Sequence, residues 1–319
     1  MKIENDRSID DVDRKLLELL RADGRASNRA LAEAVGLTEV SVAARIRRLI
    51  DADVLAVTAV FDYARAGYRF EASVAVQTAG KAVREVARKL AKLPLVHTVA
   101  IVLGPADLSV AARAPTHEEL FDLITAQIPA VAGVRRITTE LIAETVDLRS
   151  GFATFPTDEP ELVFPAPVVD LDPLDHEVIR ALVHDGRQSN RQIARDLDVA
   201  ANTVRSRIVR LEEAGLMRIV AQVDPMSLDP TRVFAYLGVE VEGPRARNVA
   251  RALARLPEIQ FSAVAIGDHH VVAAVTTADQ ASLRDLVVDR LPTIAGVRRT
   301  ETWQIVEVVK ANYHWVRFL

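Results

Sequence analysis

The side chains best suited to recognising a ligand lie on two stretches with helical spacing, and the later stretch is the more polar. Over residues 201–214, Val204, Ile208 and Leu211 recur at three- and four-residue steps and predict a helix with one apolar face. The opposite arc of this helix carries hydrogen-bonding and cationic side chains, namely Asn202, Thr203, Arg205, Ser206 and Arg210. These residue types hydrogen-bond base edges and phosphates, and no acidic residue precedes Glu212 in the helix. The pattern therefore favours a face that contacts double-stranded DNA over a face that is only solvated, because a solvated face would normally include Asp and Glu among its polar side chains.

The earlier stretch, residues 39–51, has the same kind of apolar face but a less polar arc. Val42, Ile46 and Leu49 form its apolar stripe. Its outward arc consists of small or apolar side chains flanked by hydroxyl and cationic groups: Val40, Ala43, Ala44, Ser41, Arg47 and Arg48. Small apolar groups contact only the methyl group of thymine, so we expect poorer base recognition here. We predict that the later helix reads the DNA sequence, while the earlier helix mainly positions the protein on phosphates.

Arg45 and Arg207 occupy the same position in these two helices, close to the buried edge. Two interpretations stand side by side for this pair. Each arginine contacts a DNA phosphate, or each forms a structural ion pair with an acidic residue of the first helix.

The chain is an internal duplication. Residues Ile9–Asp62 and Leu171–Asp224 align without a gap, and about one position in three is identical. The motif Asp-Gly-Arg-x-Ser-Asn-Arg occurs at 23–29 and again at 185–191. Four prolines within 149–170 predict an extended connector between the two copies.

Each copy divides into two domains, which gives an α+β fold class. Three helices with a tight turn before the third, followed by a strand, outline a winged helix-turn-helix. Ser27 and Ser189 are predicted to cap the second helix of each copy. The rest of each copy follows the order β-α-β-β-α-β of a ferredoxin-like domain, whose bare sheet face predicts pairing between modules. The predicted boundaries are 1–62 and 63–148 for the first copy, 149–170 for the linker, and 171–226 and 227–319 for the second copy.

Composition narrows the class of protein. The chain has 319 residues, 40 Lys and Arg against 44 Asp and Glu, and a net charge of −4, which excludes a generally basic coat but not a local basic face. It contains no Cys, so disulfides, thiolate nucleophiles and cysteine metal sites are excluded. With no apolar run of about 18 residues and no apolar signal core at its start, we expect a soluble cytoplasmic protein that does not contact membranes.

Together these motifs resemble the Lrp/AsnC (feast/famine) family of transcriptional regulators. The resemblance rests on Asp13, on Asp23-Gly24-Arg25-x-Ser27-Asn28, on Arg45-Ile46-x-Arg48-Leu49 and on the turn Gly104-Pro105-Ala106-Asp107, and it covers nearly the whole chain twice. It implies a nucleoid-associated DNA-binding regulator without catalysis or cofactor, which forms homo-oligomers through its regulatory domains. The usual family chain has one module, so this chain would be a covalent pseudo-dimer.

The resemblance also implies a small effector, commonly an amino acid, bound at interfaces of the regulatory domains. The family's effector region corresponds to Gly104, Ala106 and Asp107 in copy one, and to Gly267, Asp268 and His270 in copy two. His270 fills the position of Asp107, and a neutral histidine pairs less well with an ammonium group, so the two pockets are expected to differ. The alternative for Asp107 is a turn residue that caps a strand.

Other functions leave weaker traces in the sequence. His269 and His270 are adjacent on a strand and point to opposite faces, so no metal site is predicted from them. A sirohaem-decarboxylase-like enzyme of the same fold is one alternative. An architectural DNA-binding protein that responds to no effector is another.

Overall fold

The computed structural model describes residues 9–148, 170–229, 231–312 and 314–316, and these form two compact units. Residues 9–62 and 171–229 form the first, which we call the helical unit; residues 63–148 and 231–316 belong to the second, the barrel unit. The predicted linker, apart from Asp170, lies outside the described residues. None of the described helices is long and apolar enough to cross a membrane.

The first copy supplies three helices, a strand and then a βαββαβ domain. In chain order its elements are α1 (Asp11–Ala22), α2 (Asn28–Val35), α3 (Glu39–Asp51), β1 (Leu55–Asp62), β2 (Phe70–Thr78), α4 (Val83–Ala91), β3 (Val96–Leu103), β4 (Leu108–Ala114), α5 (His117–Asp122), α6 (Ile128–Ala130) and β5 (Val134–Leu148). A π-helical segment, Leu123–Gln127, connects α5 to α6.

The second copy repeats this order with a short additional helix, α10 (Pro225–Leu228), and a final two-residue strand, β11 (Trp315–Val316), and a 3-10 helix at Leu291–Thr293 takes the place of α6. Its elements are α7 (Pro173–His184), α8 (Asn190–Asp196), α9 (Ala201–Glu213), β6 (Met217–Val223), α10 (Pro225–Leu228), β7 (Val233–Val241), α11 (Ala246–Ala254), β8 (Ile259–Ile266), β9 (Val271–Thr277), α12 (Gln280–Asp285) and β10 (Val297–Ala311). Both third helices and both βαββαβ domains therefore form where the sequence predicts them.

Local residue choices set the helix ends of the helical unit. Ser27 and Ser189 each accept a hydrogen bond from a backbone N–H in the first turn of the following helix, as predicted. Thr38 caps α3 in the same way, whereas Ala200 before α9 cannot. The apolar faces of α1, α2 and α3 pack into a single core that also receives Val57 from β1.

A strand after the third helix of each copy pairs with its counterpart from the other copy. Strands β1 and β6 run antiparallel, from Leu55 opposite Val223 to Phe61 opposite Met217. Each wing is thus completed by the other copy, which joins the two helix-turn-helix heads in one unit.

The Asp-Gly-Arg-x-Ser-Asn motif lies at this junction of the two copies. Arg25 donates to Asn190 Oδ1 at 3.1 Å, and Arg187 donates reciprocally to Asn28 Oδ1 at 2.8 Å. A Cβ at Gly186 would lie 2.9 Å from the backbone of β1, so only glycine allows this approach. The repeated motif therefore has a structural role in joining the heads.

The barrel unit is a single closed barrel of eight strands, in the order β10-β3-β4-β2-β5-β8-β9-β7. Each copy contributes four neighbouring strands in the ferredoxin-like order, and β5–β8 and β10–β3 join the copies. The helices of each copy pack on one face of its sheet, where Val74 and Leu90, for example, are fully buried in one core. The predicted pairing between modules thus occurs within one chain, edge to edge, and the opposite sheet faces line the interior.

Candidate DNA interface and effector site

Helix α9 presents the polar face that the sequence predicts. Val204, Ile208 and Leu211 are buried in the helical unit. Asn202, Arg205 and Ser206 are exposed, Thr203 is half-buried, and Ser206 Oγ donates to the Thr203 carbonyl at 2.9 Å. Within the described residues, Asn202 and Arg205 form no side-chain hydrogen bond or ion pair, so both are available to a ligand.

Helix α3 presents a face of different character. Val40 is 80% exposed, and Ala43 and Ala44 are also exposed. Ser41 Oγ lies 2.9 Å from Thr38 Oγ1 and is therefore engaged at the helix start. Arg47 is exposed and forms no ion pair in the part of the chain that the structure describes.

A buried aspartate in each copy holds two arginines of the third helix. In copy one, Asp13 is fully buried and accepts from Arg45 at 2.9 Å and from Arg48. Arg45 also pairs with Asp10 at 2.7 Å. For Arg45 the geometry is therefore that of the structural ion pair, and its carboxylate partners raise the pKa of the guanidinium.

The second copy has the same network. Asp175 is buried and accepts from Arg207 at 2.8 Å and from Arg210, and Arg207 also pairs with Asp172. The hydrogen bond from Arg207 is the main reason that the pKa of Asp172 is lowered. Arg207 thus takes the ion-pair geometry too, whereas the side chain of Arg210 stays 57% exposed and retains access to a phosphate.

The sequence offered an acidic residue of the first helix as a partner for Arg45 and Arg207, but it did not single out Asp13 or Asp175. Each copy carries Asp-x-x-Asp at the start of its first helix and Arg-x-x-Arg in its third, and the buried aspartate lies 32 and 35 positions before the two arginines. This repeated spacing is the signal that would have identified the network. Its effect is to fix the orientation of the third helix against the first.

The two predicted effector turns make equivalent structural bonds. Asp107 Oδ2 accepts from the backbone N–H of Thr78 at 2.7 Å, and His270 Nδ1 accepts from the backbone N–H of Val241 at 3.0 Å. Thr78 and Val241 are the last residues of β2 and β7. Both side chains therefore act as caps at a strand end, which is the alternative foreseen for Asp107.

The glycines of these turns pack closely against the last strand of the opposite copy. A Cβ at Gly104 would lie 2.6 Å from the carbonyl oxygen of Thr302, and one at Gly267 would lie 1.8 Å from Glu140 Oε2. Neither position accommodates a larger residue without displacement of its neighbours.

A cavity of about 350 Å³ lies within the barrel unit and is lined by residues of both copies. Of the predicted effector residues, Ala106 and Asp268 line it, whereas Gly104, Asp107, Gly267 and His270 are not among its lining residues. Its aromatic and charged lining comprises Tyr236, Phe261, Trp303, Glu71, Glu140, Asp268, Glu301, Arg136 and His269. Apart from Asp268, none of these charged residues was predicted from the sequence to belong to a site.

His269 is the centre of a charged cluster in this cavity. Its Nδ1 lies 2.8 Å from Glu140 Oε1, and its Nε2 lies 3.5 Å from Glu301 Oε2. Burial alone would lower the pKa of His269, but the hydrogen bond and charge of Glu140, together with Glu301, outweigh burial and raise it. No group of three His, Cys, Asp or Glu suited to a metal ion occurs among the described residues.

The cavity is not symmetric, although the barrel is built from a repeat. At equivalent repeat positions, copy one has Ala106 where copy two has His269, and Glu140 where copy two has Trp303. Gly238 makes room for the His269 ring, since a Cβ there would lie 2.6 Å from it, and copy one has Ala75 at that position. The two halves have therefore diverged where they face the cavity.

Comparison with known families agrees with this architecture. Residues 9–50 and 171–212 match the AsnC-type helix-turn-helix domain, and residues 71–151 match the Lrp/AsnC ligand binding domain. Residues 231–318 match the PF0864 C-terminal dimeric alpha+beta barrel domain. An HTH-type transcriptional regulator of Pyrococcus abyssi is 32% identical over 146 residues, which are 46% of this chain and 92% of that protein. The chain belongs to the Lrp/AsnC family of transcriptional regulators.

Two further similarities place this Lrp/AsnC regulator among its relatives. The HTH-type transcriptional regulator FL11 of Pyrococcus horikoshii is 34% identical over 143 residues, 44% of this chain and 93% of FL11. Among solved structures, the siroheme decarboxylase NirDL in complex with an iron-uroporphyrin III analogue aligns over 97% of this chain and 94% of its own, with a TM-score of 0.64 and 14% identity. The similarity to NirDL is one of fold.

Proposed function

We propose that this Lrp/AsnC regulator binds double-stranded DNA with a sequence preference set mainly by helix α9. The observation that carries the proposal is the exposed, acid-free face of that helix, where Asn202 and Arg205 have free hydrogen-bonding groups. Asn and Arg side chains recognise adenine and guanine through paired hydrogen bonds in the major groove. The Asp175 network holds the helix in place, which preorganises this face.

The two heads divide the work of DNA binding. Helix α3 offers Val40, Ala43 and Ala44, which contact only thymine methyls, and Arg47, which contacts phosphate. Ser41, Arg45 and Arg48 lie beside these groups and would contact the DNA phosphates. Of the three, Arg45 is the most constrained, because it pairs with both Asp10 and Asp13. We expect an operator with one specific half-site and one permissive half-site, spaced by about one helical turn.

A small effector bound in the barrel unit modulates DNA affinity through linkage. A ligand that prefers the DNA-competent conformation raises DNA affinity by the same factor as DNA raises ligand affinity. The resemblance to amino-acid-responsive regulators supports an amino acid as effector, and Ala106 and Asp268 are the predicted residues that face the cavity. Homo-oligomers would form through outer surfaces of the barrel unit, since both edges of each sheet are already paired within the chain.

The test is selection of bound DNA from a random pool, with and without an amino-acid mixture. Arg205→Ala and Arg47→Ala are the matched pair, since both residues are exposed on third helices. We expect Arg205→Ala to weaken specific binding and relax one half-site, and Arg47→Ala to weaken all sequences similarly and reduce the salt dependence. Equal loss of preference in both variants would refute the division of labour.

The alternative function is that of a sirohaem-decarboxylase-like enzyme, and the observation in its favour is the similarity of fold to NirDL. The cavity chemistry favours the regulator. Uroporphyrin-type tetrapyrroles carry several carboxylates, and four carboxylates already line this cavity of about 350 Å³. Incubation with an iron-uroporphyrin III analogue should leave its absorption spectrum unchanged; a spectral shift with loss of carbon dioxide would reverse the choice.

A further inference from the structure

We propose that the barrel cavity binds one zwitterionic ligand per chain, an α-amino acid with an uncharged apolar side chain. Arg136 would bind the carboxylate of this ligand, and Asp268 would bind its ammonium group. This site deepens the effector role proposed above, because it assigns the residues, the ligand class and the stoichiometry. Its meaning for regulation rests on the proposed function, whereas ligand binding to the barrel unit is measured without DNA.

Two charged residues of the cavity lining are available to a ligand. The other carboxylates of the lining are already in ion pairs, namely Glu71 with Arg113, Glu140 with His269 and Glu301 with Arg299. Arg136 and Asp268 also line the cavity, both are exposed, and neither forms a hydrogen bond or ion pair within the part of the chain that the structure describes. One available cation and one available anion match the two charges of a zwitterion.

The two residues approach the same part of strand β5. Arg136 and Glu140 both face the cavity from this strand. The turn that carries Asp268 packs on the strand beside Glu140, since a Cβ at Gly267 would lie 2.7 Å from the carbonyl oxygen of Thr139. Thr139 is about 10 Å along the strand from Arg136, a span that the long arginine side chain and a bound ligand can bridge.

The repeat counterpart of Arg136 is neutralised by acidic neighbours. Arg299 holds the equivalent position in copy two, where it donates to Glu240 at 3.4 Å and pairs with Glu301 at 2.7 Å. Copy one has uncharged residues at both of these acidic positions, namely Gln77 and Thr138. The charge of Arg136 is therefore left for a ligand, whereas the charge of Arg299 is compensated within the protein.

The repeat counterpart of Asp268 carries no charge at all. Copy one has Pro105 at the equivalent position of its turn, and that turn packs on β10 at Thr302 as the Asp268 turn packs on β5. The second corner of the cavity thus lacks the anion, and its arginine is compensated. A barrel made from two identical halves would hold two equivalent sites, whereas this diverged barrel is predicted to hold one.

The rest of the lining suits an uncharged apolar side chain. Tyr236, Phe261 and Trp303 line the cavity and offer apolar surface. A volume of about 350 Å³ is at the small end of ligand pockets, which span roughly 300–1,000 Å³. An acidic or basic ligand side chain would bring a third charge into the cavity, and burying an unpaired charge is costly. Phenylalanine and leucine fit these requirements.

The experiment is calorimetric titration of the full chain with each amino acid and with two analogues that each lack one charge. The analogues are phenethylamine and 3-phenylpropionate for phenylalanine, and 3-methylbutylamine and 4-methylpentanoate for leucine. We expect phenylalanine or leucine to bind at one per chain, and both analogues of that amino acid to bind at least about tenfold more weakly. Two sites per chain, equal binding of either analogue, or binding of neither amino acid at millimolar concentration would overturn the proposal.

Variants of the two charged residues locate the site. Arg136→Gln and Asp268→Asn should each weaken amino-acid binding by about tenfold or more. Arg135→Gln is the matched control, because Arg135 is exposed on the same strand and is not among the described residues that line the cavity. It should change the affinity by less than about twofold. Thermal unfolding of each variant establishes that it is folded, and unchanged binding in folded Arg136→Gln or Asp268→Asn would refute the assignment.

A further variant tests why copy one retains the site. Gln77 lies opposite Arg136 across β2 and β5, just as Glu240 lies opposite Arg299 across β7 and β10. Gln77→Glu therefore gives Arg136 the kind of acidic neighbour that Arg299 has, and it should weaken amino-acid binding by about tenfold. Full affinity in this variant would contradict the argument from charge compensation.

DNA binding, measured on the same samples, separates the two proposals. Amino-acid binding without any DNA binding refutes the regulator and leaves the ligand site intact. DNA binding without amino-acid binding refutes the ligand site alone.

Discussion

Replacing Asp175 by Asn removes one buried charge from beneath helix α9 while keeping the shape of the side chain. Asp175 accepts from Arg207 and Arg210, and it forms a capping box with Asp172 at the start of α7. The side chains of Arg207 and Arg210 are 23% and 57% exposed, so each ion pair is partly screened and is assigned about 1 kcal/mol. Asn can still accept the capping bond, so we expect Asp175→Asn to lower the free energy of unfolding by about 2 kcal/mol.

Asp175→Ala also removes the hydrogen bond that the Asp175 side chain accepts from the backbone N–H of Asp172, whereas Asp172 still caps the helix. The loss of this hydrogen bond adds about 1 kcal/mol, which gives about 3 kcal/mol in total. Urea denaturation of both variants measures these values, and Glu177→Gln, which breaks an exposed pair with Arg180, is a control expected to change stability by less than about 0.5 kcal/mol.

DNA binding adds a second readout to this prediction. Because the network fixes the orientation of α9, Asp175→Asn should weaken specific DNA binding, and Asp13→Asn should have a smaller effect on sequence preference. A change in stability below about 0.5 kcal/mol for Asp175→Asn would refute the structural role. Loss of DNA binding at unchanged stability would instead point to a direct role for Asp175.

Three further predictions concern the barrel unit. Gly238→Ala places a Cβ 2.6 Å from the ring of His269 and should lower the free energy of unfolding by about 1–3 kcal/mol. Ala75→Gly, at the equivalent repeat position, should lower it by about 1 kcal/mol or less. Equal effects of the two substitutions in urea denaturation would contradict the asymmetric packing. Because the pKa of His269 is raised in the folded protein, the stabilisation from its protonated ring is complete below about pH 6.5 and is lost as pH rises through the raised pKa. The stability of the parent protein relative to His269→Gln should therefore fall with rising pH. Burial lowers the pKa of Lys310 to about 8, so between about pH 8 and 10.5 the unfolded chain binds more protons, and the parent protein should gain stability with pH relative to Lys310→Met. A pH-independent difference in denaturant midpoints would refute either titration argument.

The sequence by itself determined the local elements and their order. Helical periodicity and capping serines placed α2, α3, α8 and α9, because these signals act over one or two turns of chain. The repeat fixed the duplication, and the alternation of strands and helices fixed the βαββαβ domains. The difference between the faces of α3 and α9 was also readable, because both helices expose the arc opposite their buried stripe.

Only the tertiary structure decided how the two copies combine. The pairing of β1 with β6 and the closure of the barrel through β5–β8 and β10–β3 join residues far apart in the chain. The Glu140–His269 contact spans 129 positions, and no local pattern links its two residues. Closing the sheets edge to edge turned their bare faces inward, and this placed Glu71, Glu140 and His269 around one cavity. Strand register and barrel closure depend on backbone pairing between residues far apart in the chain. The sequence therefore predicted the individual elements, whereas only the tertiary structure placed these side chains together.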